Sequence, residues 1–382
     1  MNIAVNTRLV LDGKMDGIGW FTYETMTRIA SNHPEHHFSF LFDRSVSGSL
    51  VFPKNVEPVV VRPVTRLPIL LEYWNNRAVP AKLKKLRPDI YISSDGFIPP
   101  TLDIPSLAVI HDLNFEHYPH FLPKKYRKIY QKRLRQSARA AHRVLTVSEF
   151  SKADISKTYG VPLSKIDVVY CGLNSFIHPV SEEQILEEKM RLGLRTRYFI
   201  VVGTLHPRKN IHRTIEAFGK FRERHASDFQ LVFAGNDKWF SGEMKDALTQ
   251  CPYRDDILFT GRVDDSVMNL LVSGAHAMVY VSLFEGFGMP ILEAAAAGIP
   301  VITSNNTSMK EIAADTALLV NPFNTDEIVD AMRRLAEDNA LCDQLVSASK
   351  HLPAKYSWDK SAERIWESVL TVTANHDDTT HP

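Results

Sequence analysis

Short runs of Val, Ile, Leu and Phe recur along almost the whole chain, each separated from the next by a stretch whose apolar residues return at helical spacing. The runs predict strands at residues 3–7, 37–42, 58–62, 89–93, 107–111, 144–148 and 166–170, and again at 198–203, 229–235, 257–260, 278–282, 301–304 and 317–320. They show little in-and-out alternation, the pattern of parallel strands covered on both faces. Strand and helix alternating this often specify doubly wound α/β sheets. Ligands of such sheets gather beyond the carboxyl ends of the strands, so the residues just after each run are the ones to inspect for function.

A chain of 382 residues is too long for one ordinary core and predicts two domains. The alternation breaks at residues 171–181, where Gly172, Asn174 and Pro179 interrupt it, and Ser181, Glu182 and Glu183 then open a new helix. The predicted layout is an amino-terminal domain over 1–172 and a second over 173–355. A final helix over 356–373 either stays on the second domain or crosses back to the first, and a polar tail over 374–382 is expected to be disordered. Hydrophobic content of 44% and charged content of 23% are those of a soluble globular protein. Cys171, Cys251 and Cys342 are far apart and odd in number, so neither a disulfide framework nor a zinc knuckle is expected. Residues 1–6 read as a strand rather than a leader, and no apolar run approaches membrane-spanning length, so the expected location is cytoplasmic.

The net charge of +1 conceals an asymmetry: residues 1–175 hold 24 Lys and Arg against 15 Asp and Glu, and the remainder 21 against 29. Nine of the cations, and no acid, fall in residues 124–143. There Tyr126, Ile129, Tyr130, Leu134, Ala138 and Ala141 recur at helical spacing, which predicts an amphipathic helix with a cationic face. That face is either solvated or attached to an anionic membrane surface. No nucleic-acid recognition motif accompanies it.

Chemistry concentrates in Glu285-Gly286-Phe287-Gly288-Met289-Pro290-Ile291-Leu292-Glu293. A buried strand precedes it and a helix over 290–297 follows, with Pro290 suited to a first helical position and Gly298 to the residue past the end. Backbone N–H groups and the positive end of that helix suit a phosphate, and the two carboxylates can accept hydrogen bonds from sugar or ribose hydroxyls. The second element is Gly203-Thr204-Leu205-His206-Pro207-Arg208-Lys209-Asn210, at the end of the strand 198–203. Arg208 and Lys209 can neutralise a diphosphate, Arg by a planar fork and Lys as a point charge. In the first half, His111-Asp112 follows an apolar strand, where the imidazole serves either a sugar hydroxyl or its own loop through Asp112. Gly17-Ile18-Gly19-Trp20 precedes a helix over 21–30 and resembles half of a phosphate loop. No Asp-x-Asp pair occurs, which removes the usual carboxylate clamp for a nucleotide-bound metal, and neither a serine-hydrolase elbow nor a P-loop is found.

Taken in order, Gly17-Ile18-Gly19, His111-Asp112, Thr146-Val147-Ser148-Glu149-Phe150-Ser151, Val169-Tyr170-Cys171-Gly172, the 203–210 corner and the Glu285–Glu293 motif resemble the retaining glycosyltransferases of family 4. The resemblance covers most of the chain. It implies the α/β GT-B fold: two facing Rossmann-like doubly wound domains with a deep interdomain cleft. By resemblance Glu285 contacts the donor sugar, Glu293 the ribose, and Arg208 and Lys209 the diphosphate. His111 then lies beside the sugar, Gly17 and Gly19 approach the donor phosphates, and Gly203, Gly286, Phe287 and Gly288 line the nucleotide-sugar site. Two departures stand out: Thr204 replaces the family's Arg after the strand-end glycine, so Arg208 supplies that cation, and Cys171 replaces the usual Asn before Gly172.

The corner as written here is similar to that of bacterial mannosyltransferases of surface polysaccharides. The resemblance therefore implies hexosyl transfer with retention, from GDP-mannose to a glycan or lipid-linked acceptor, with no cofactor and no metal. A UDP-sugar donor, or a non-catalytic nucleotide-sugar-binding protein, is the alternative. The implied partners are the donor and the acceptor; the composition of residues 124–143 adds an anionic membrane surface, on the inner face of the cytoplasmic membrane, as the alternative to a solvated face, and nucleic acid is not expected.

Overall fold

A computed structural model describes the chain except for Lys14, Ser47, Ser49, Arg195, Thr196, Ala226, Ser227, Lys238, Ser241, His381 and Pro382, with residues 375–380 described by backbone alone. The chain divides into two compact units, Met1–Gly172 joined by the segment from Ser357 onward, and Leu173–Tyr356.

The first unit carries strands β1 (Asn2–Asn6), β2 (His37–Phe42), β3 (Val56–Val60), β4 (Ile90–Ser93), β5 (Ser106–Val109), β6 (Arg143–Thr146) and β7 (Ile166–Val168). They form one sheet in the order β3-β2-β1-β4-β5-β6-β7, parallel throughout. The second unit carries β8 (Tyr198–Val202), β9 (Gln230–Ala234), β10 (Ile257–Gly261), β11 (Ala277–Tyr280), β12 (Val301–Ser304) and β13 (Leu318–Val320). Its order, β10-β9-β8-β11-β12-β13, is also parallel throughout. Each order runs one way from the first strand and then reverses, which is the doubly wound arrangement. The reversal falls between β1 and β4 in one unit and between β8 and β11 in the other.

The strands are apolar on both faces because helices cover both. In the second unit Phe199, Leu231 and Phe233 of the sheet pack with Ile215, Phe218 and Met332 of flanking helices, all fully buried. In the first, Ala4, Tyr91 and Ala108 meet Trp74, whose indole N–H donates to the Val61 carbonyl at 2.6 Å.

The final helix, Trp358–Thr380, belongs to the first unit. Gly172 gives it room, since a Cβ there would lie 2.4 Å from the Trp358 nitrogen. The Trp358 ring meets the edge of Phe21 at 6.1 Å, Arg28 Nε donates to Asp359 at 2.8 Å, and the Ser368 hydroxyl donates to Asp167 at 2.9 Å. Of the tail expected to be disordered over 374–382, the helix reaches Thr380, because no Gly or Pro interrupts it, and 381–382 lie outside the described residues. Three element bounds also differ. The first helix begins at Gly17 because the Asp16 side chain caps it, not at residue 21. The cationic helix ends at Ala140, since Arg143 enters β6 and pairs with Asp167. The helix after the glycine turn starts at Met289, one residue early. Among the described residues no helix is long and apolar enough to cross a membrane.

Candidate active site

In the second unit the reversal point holds the two elements singled out in the sequence. The corner Pro207–Lys209 follows β8, and the turn 283–288 follows β11, the strand beside it. The backbone ties them together: Leu283 N–H donates to the Arg208 carbonyl at 2.7 Å. Asn210, fully buried and in the left-handed region at φ 59°, donates its side-chain amide to the carbonyls of Val281 (3.1 Å) and Pro322 (2.6 Å). On the far side of the turn, the Ser308 hydroxyl lies 2.8 Å from the Glu285 carbonyl and 2.9 Å from that of Phe287. Phe287 packs edge-on against Tyr356 at 5.6 Å, and Gly288, at φ 111°, turns the chain into the helix Met289–Ala297. Gly203, at φ 117°, lies under Lys209, whose Cε would be 3.6 Å from any Cβ placed there.

On this frame Glu285 bridges both cations. One oxygen pairs with Arg208 and the other lies 2.7 Å from Lys209 Nζ. Arg208 also donates to the Phe284 carbonyl at 3.3 Å, and Lys209 to the Tyr280 hydroxyl at 3.1 Å while resting over the Tyr280 ring. Burial pushes the Glu285 carboxyl up, but Arg208 and Lys209 override it and hold the group down at about 2. Burial lowers the Lys209 ammonium, with Glu285 opposing. The trio thus carries one net positive charge in a partly buried corner, where electrostatic attraction for an anion is stronger than in open water.

Glu293 is as buried as Glu285, yet among the described residues it makes no salt bridge. Its Oε1 accepts one hydrogen bond, from the Asn174 amide at 3.0 Å, and burial raises it to about 7 in spite of that bond. Asn174 is marked by the sequence only as a break between the two domains, not as a site residue. It is a lone polar residue in an irregular stretch, 119 positions from its partner, and no spacing rule links the two.

In the first unit, His111 follows β5. Its Nε2 lies 3.1 Å from the Ser94 carbonyl, which can only accept, so Nε2 carries the proton and Nδ1 is the ring's acceptor. Burial lowers its pKa and keeps it neutral, and its ring stands edge-on to Phe21 at 5.0 Å. Asp112 does not order the imidazole; it accepts from the Asn114 backbone at 2.9 Å and side chain at 2.5 Å. Gly17 opens the first helix, and the Gly19 N–H donates to Asp16 at 3.1 Å. Glycine at 19 answers a steric need, since a Cβ would come within 2.6 Å of the Leu9 carbonyl. The reversal point of this sheet holds a second polar cluster missed by sequence. Asp95 pairs with Arg8 and accepts from Asn6 (2.8 Å) and Ser93 (3.0 Å), all of them buried. The signal was available, as Asn6-Thr7-Arg8 and Ser93-Ser94-Asp95 both follow apolar strands directly. Among the described residues no three His, Cys, Asp or Glu side chains converge to hold a metal ion.

Comparison with known proteins bears on this geometry. The family model for glycosyl transferases group 1 matches residues 183–352, and the model for glycosyltransferase family 4 matches residues 15–175. Together the two models span most of the chain, which is a glycosyltransferase of the GT-B fold. It is 26% identical over 298 residues to O-antigen chain mannosyltransferase B of Escherichia coli, covering 77% of this chain and 78% of that protein. It is 28% identical over 257 residues to the O-antigen chain mannosyltransferase RfbU of Salmonella typhimurium, covering 67% of each. Its fold is similar to that of sucrose-phosphate synthase from Thermosynechococcus elongatus, with 18% identity and a TM-score of 0.78 over 98% of this chain and 100% of that one.

Proposed function

We propose that this glycosyltransferase moves mannose from GDP-mannose, with retention, to a glycan or lipid-linked acceptor in the cytoplasmic assembly of a bacterial surface polysaccharide such as O-antigen. The observation that carries the reading is the Arg208–Glu285–Lys209 corner, built on a buried carboxylate at the reversal point of the second sheet. The choice of mannose is supported by the similarity to two O-antigen chain mannosyltransferases.

In the reaction, the bond between sugar C1 and the diphosphate oxygen breaks, and a bond from C1 to the acceptor hydroxyl forms on the same face. The acceptor proton passes to the departing phosphate. Charge develops on the diphosphate as it leaves, and Arg208 and Lys209 stabilise it without having to reorganise, since Glu285 already fixes both. The corner can therefore do electrostatically what a bound metal ion would do, and the proposal is metal-independent. Glu293, with one oxygen bonded to Asn174, offers the other to a ribose hydroxyl. His111, neutral and held by Ser94, has the place beside the sugar that the family resemblance gives it.

The test is transfer of radiolabelled mannose from GDP-mannose to a membrane extract, run beside UDP-glucose. The reading requires incorporation from GDP-mannose in preference to UDP-glucose. Preference for the UDP donor would replace mannose, and tight binding of GDP-mannose without transfer or hydrolysis would overturn the enzymatic reading.

A further inference from the structure

The six-residue helix Pro68–Tyr73 has a composition at odds with its position. Leu67 at its start is 57% exposed, Ile69 74% and Tyr73 55%, and Ile69 and Tyr73 stand one turn apart on the same face. The opposite side is firmly anchored, with Leu71 and Trp74 almost fully buried. The apolar side chains are thus presented on a fixed element.

Two contacts pin this helix beside the cationic one, Lys124–Ala140. Arg133 grips Glu72 with two N–H groups on one edge of its guanidinium, Nε at 2.9 and 3.1 Å and Nη2 at 2.5 Å, and the Tyr126 hydroxyl donates to the Arg66 carbonyl at 2.8 Å. Glu72 is the sole acid in residues 62–79 and 124–140, so Arg133 cancels it and the rest of the charge is of one sign. Arg62, Arg66, Lys124, Lys125, Lys128 and Lys132 are exposed and, among the described residues, make no salt bridge. On the helix, Lys124, Lys128, Lys132, Arg135 and Arg139 follow one another at intervals of four or three and form one stripe, in which Arg135 lies 3.8 Å from Glu116 and Arg139 donates to the Tyr159 carbonyl at 3.1 Å.

An exposed apolar knob whose cationic border keeps six exposed cations without a salt bridge among the described residues matches the chemistry of an anionic bilayer surface, where cations meet lipid headgroups and apolar side chains enter the acyl boundary. A soluble protein partner would have to bring acid and apolar surface in the same layered order. We propose that Leu67, Ile69 and Tyr73 form a membrane-inserting wedge, and that the adjoining cationic stripe steers it to anionic lipid. The inference deepens the glycosyl-transfer reading, because a lipid-linked acceptor is met at a bilayer.

The two contributions have different salt dependence, and that separates them. The full chain is sedimented with vesicles of phosphatidylcholine alone, or with about one-third phosphatidylglycerol, at about 0.1 M and about 0.5 M salt. The wild type should bind only the anionic vesicles, more tightly at low salt. Leu67→Ser with Ile69→Ser should weaken partition by about tenfold at both salt concentrations, because the apolar contribution is not screened. Lys124→Glu with Lys128→Glu and Lys132→Glu should weaken it by about a hundredfold at low salt and by far less at high salt. Equal binding to neutral and anionic vesicles, or an apolar double variant that partitions like the wild type, overturns the wedge. So does a wild-type dimer that Ile69→Ser dissolves, since a second copy would then be the occupant. GDP titration of the same variants, expected to match the wild type, reports folding and keeps the two readings apart. Vesicle binding without nucleotide binding sinks the transfer reading alone, and the converse sinks the wedge alone.

Discussion

The two ends of the Glu285–Glu293 motif face opposite electrostatic conditions. Both carboxylates are about 5% exposed, and eight positions separate them, yet one is held at about 2 and the other lifted to about 7. Burial therefore does not decide their charge; the partners do. Arg208 and Lys209 touch Glu285, whereas a single neutral amide touches Glu293. One end of the motif is a fixed anion that organises two cations, and the other is a group poised between charged and neutral at working pH. Under the proposed reading the turn holds a highly charged diphosphate at one end and a neutral sugar ring at the other, and has use for both states.

Removing the cations is the harshest way to break this contrast. Arg208→Ala or Lys209→Ala should lower turnover by about two orders of magnitude, as loss of a charge-stabilising group does. Steady-state transfer rates near those of the wild type would contradict the phosphate role.

The pH dependence of stability sharpens the contrast next. Glu293 has a folded-state pKa above its ordinary value of 4.5, so its contribution is greatest at low pH and is lost as pH rises towards 7. Over that window the wild type should lose about 3 kcal/mol relative to Glu293→Gln in urea titrations. Glu285 is the reverse case, stabilising above the ordinary carboxylate range and ceasing to do so as pH falls towards 2. A Glu293→Gln curve parallel to the wild type between pH 4.5 and 7 would show that Glu293 ionises normally.

A smaller effect is expected from the neutral partner. Asn174→Ala should cost about 1–3 kcal/mol at pH 8, where Glu293 is charged, and less at pH 6, where the lost bond is to a neutral acid. Equal costs at both values would mean that Asn174 serves the fold rather than the carboxyl. The smallest effect of all is predicted for metal removal: if the two protein cations serve the leaving group as proposed, EDTA should leave transfer within about twofold of the untreated rate, and abolition of activity by EDTA would count against the cation pair.

Much of this was legible in the chain. Every predicted strand is present, most within two residues of the observed bounds, because parallel strands covered on both faces must be continuous apolar runs. Pro290 and Gly298 marked the motif helix because caps are local. What escaped was set by tertiary contact. Asp16 starts the first helix early, Arg143 leaves the cationic helix to pair with Asp167, and Glu285, matched by resemblance to the donor sugar, has both oxygens on cations in this structure. Asn174 and the Arg8–Asp95 pair joined their sites through partners 119 and 87 positions away. The exposed apolar face of Pro68–Tyr73 was hidden for a related reason, since Ile69 and Leu71 look alike in sequence and only the fold sends one outward.

Calorimetric titration of GDP and of guanosine into the wild type and into Arg208→Gln with Lys209→Met asks most directly whether the basic corner grips a diphosphate. The structure predicts that the double variant, with its fold checked by circular dichroism, loses about a hundredfold or more in affinity for GDP and only a few-fold for guanosine. Undiminished GDP affinity in a folded double variant would contradict the assignment of Arg208 and Lys209 to the leaving group.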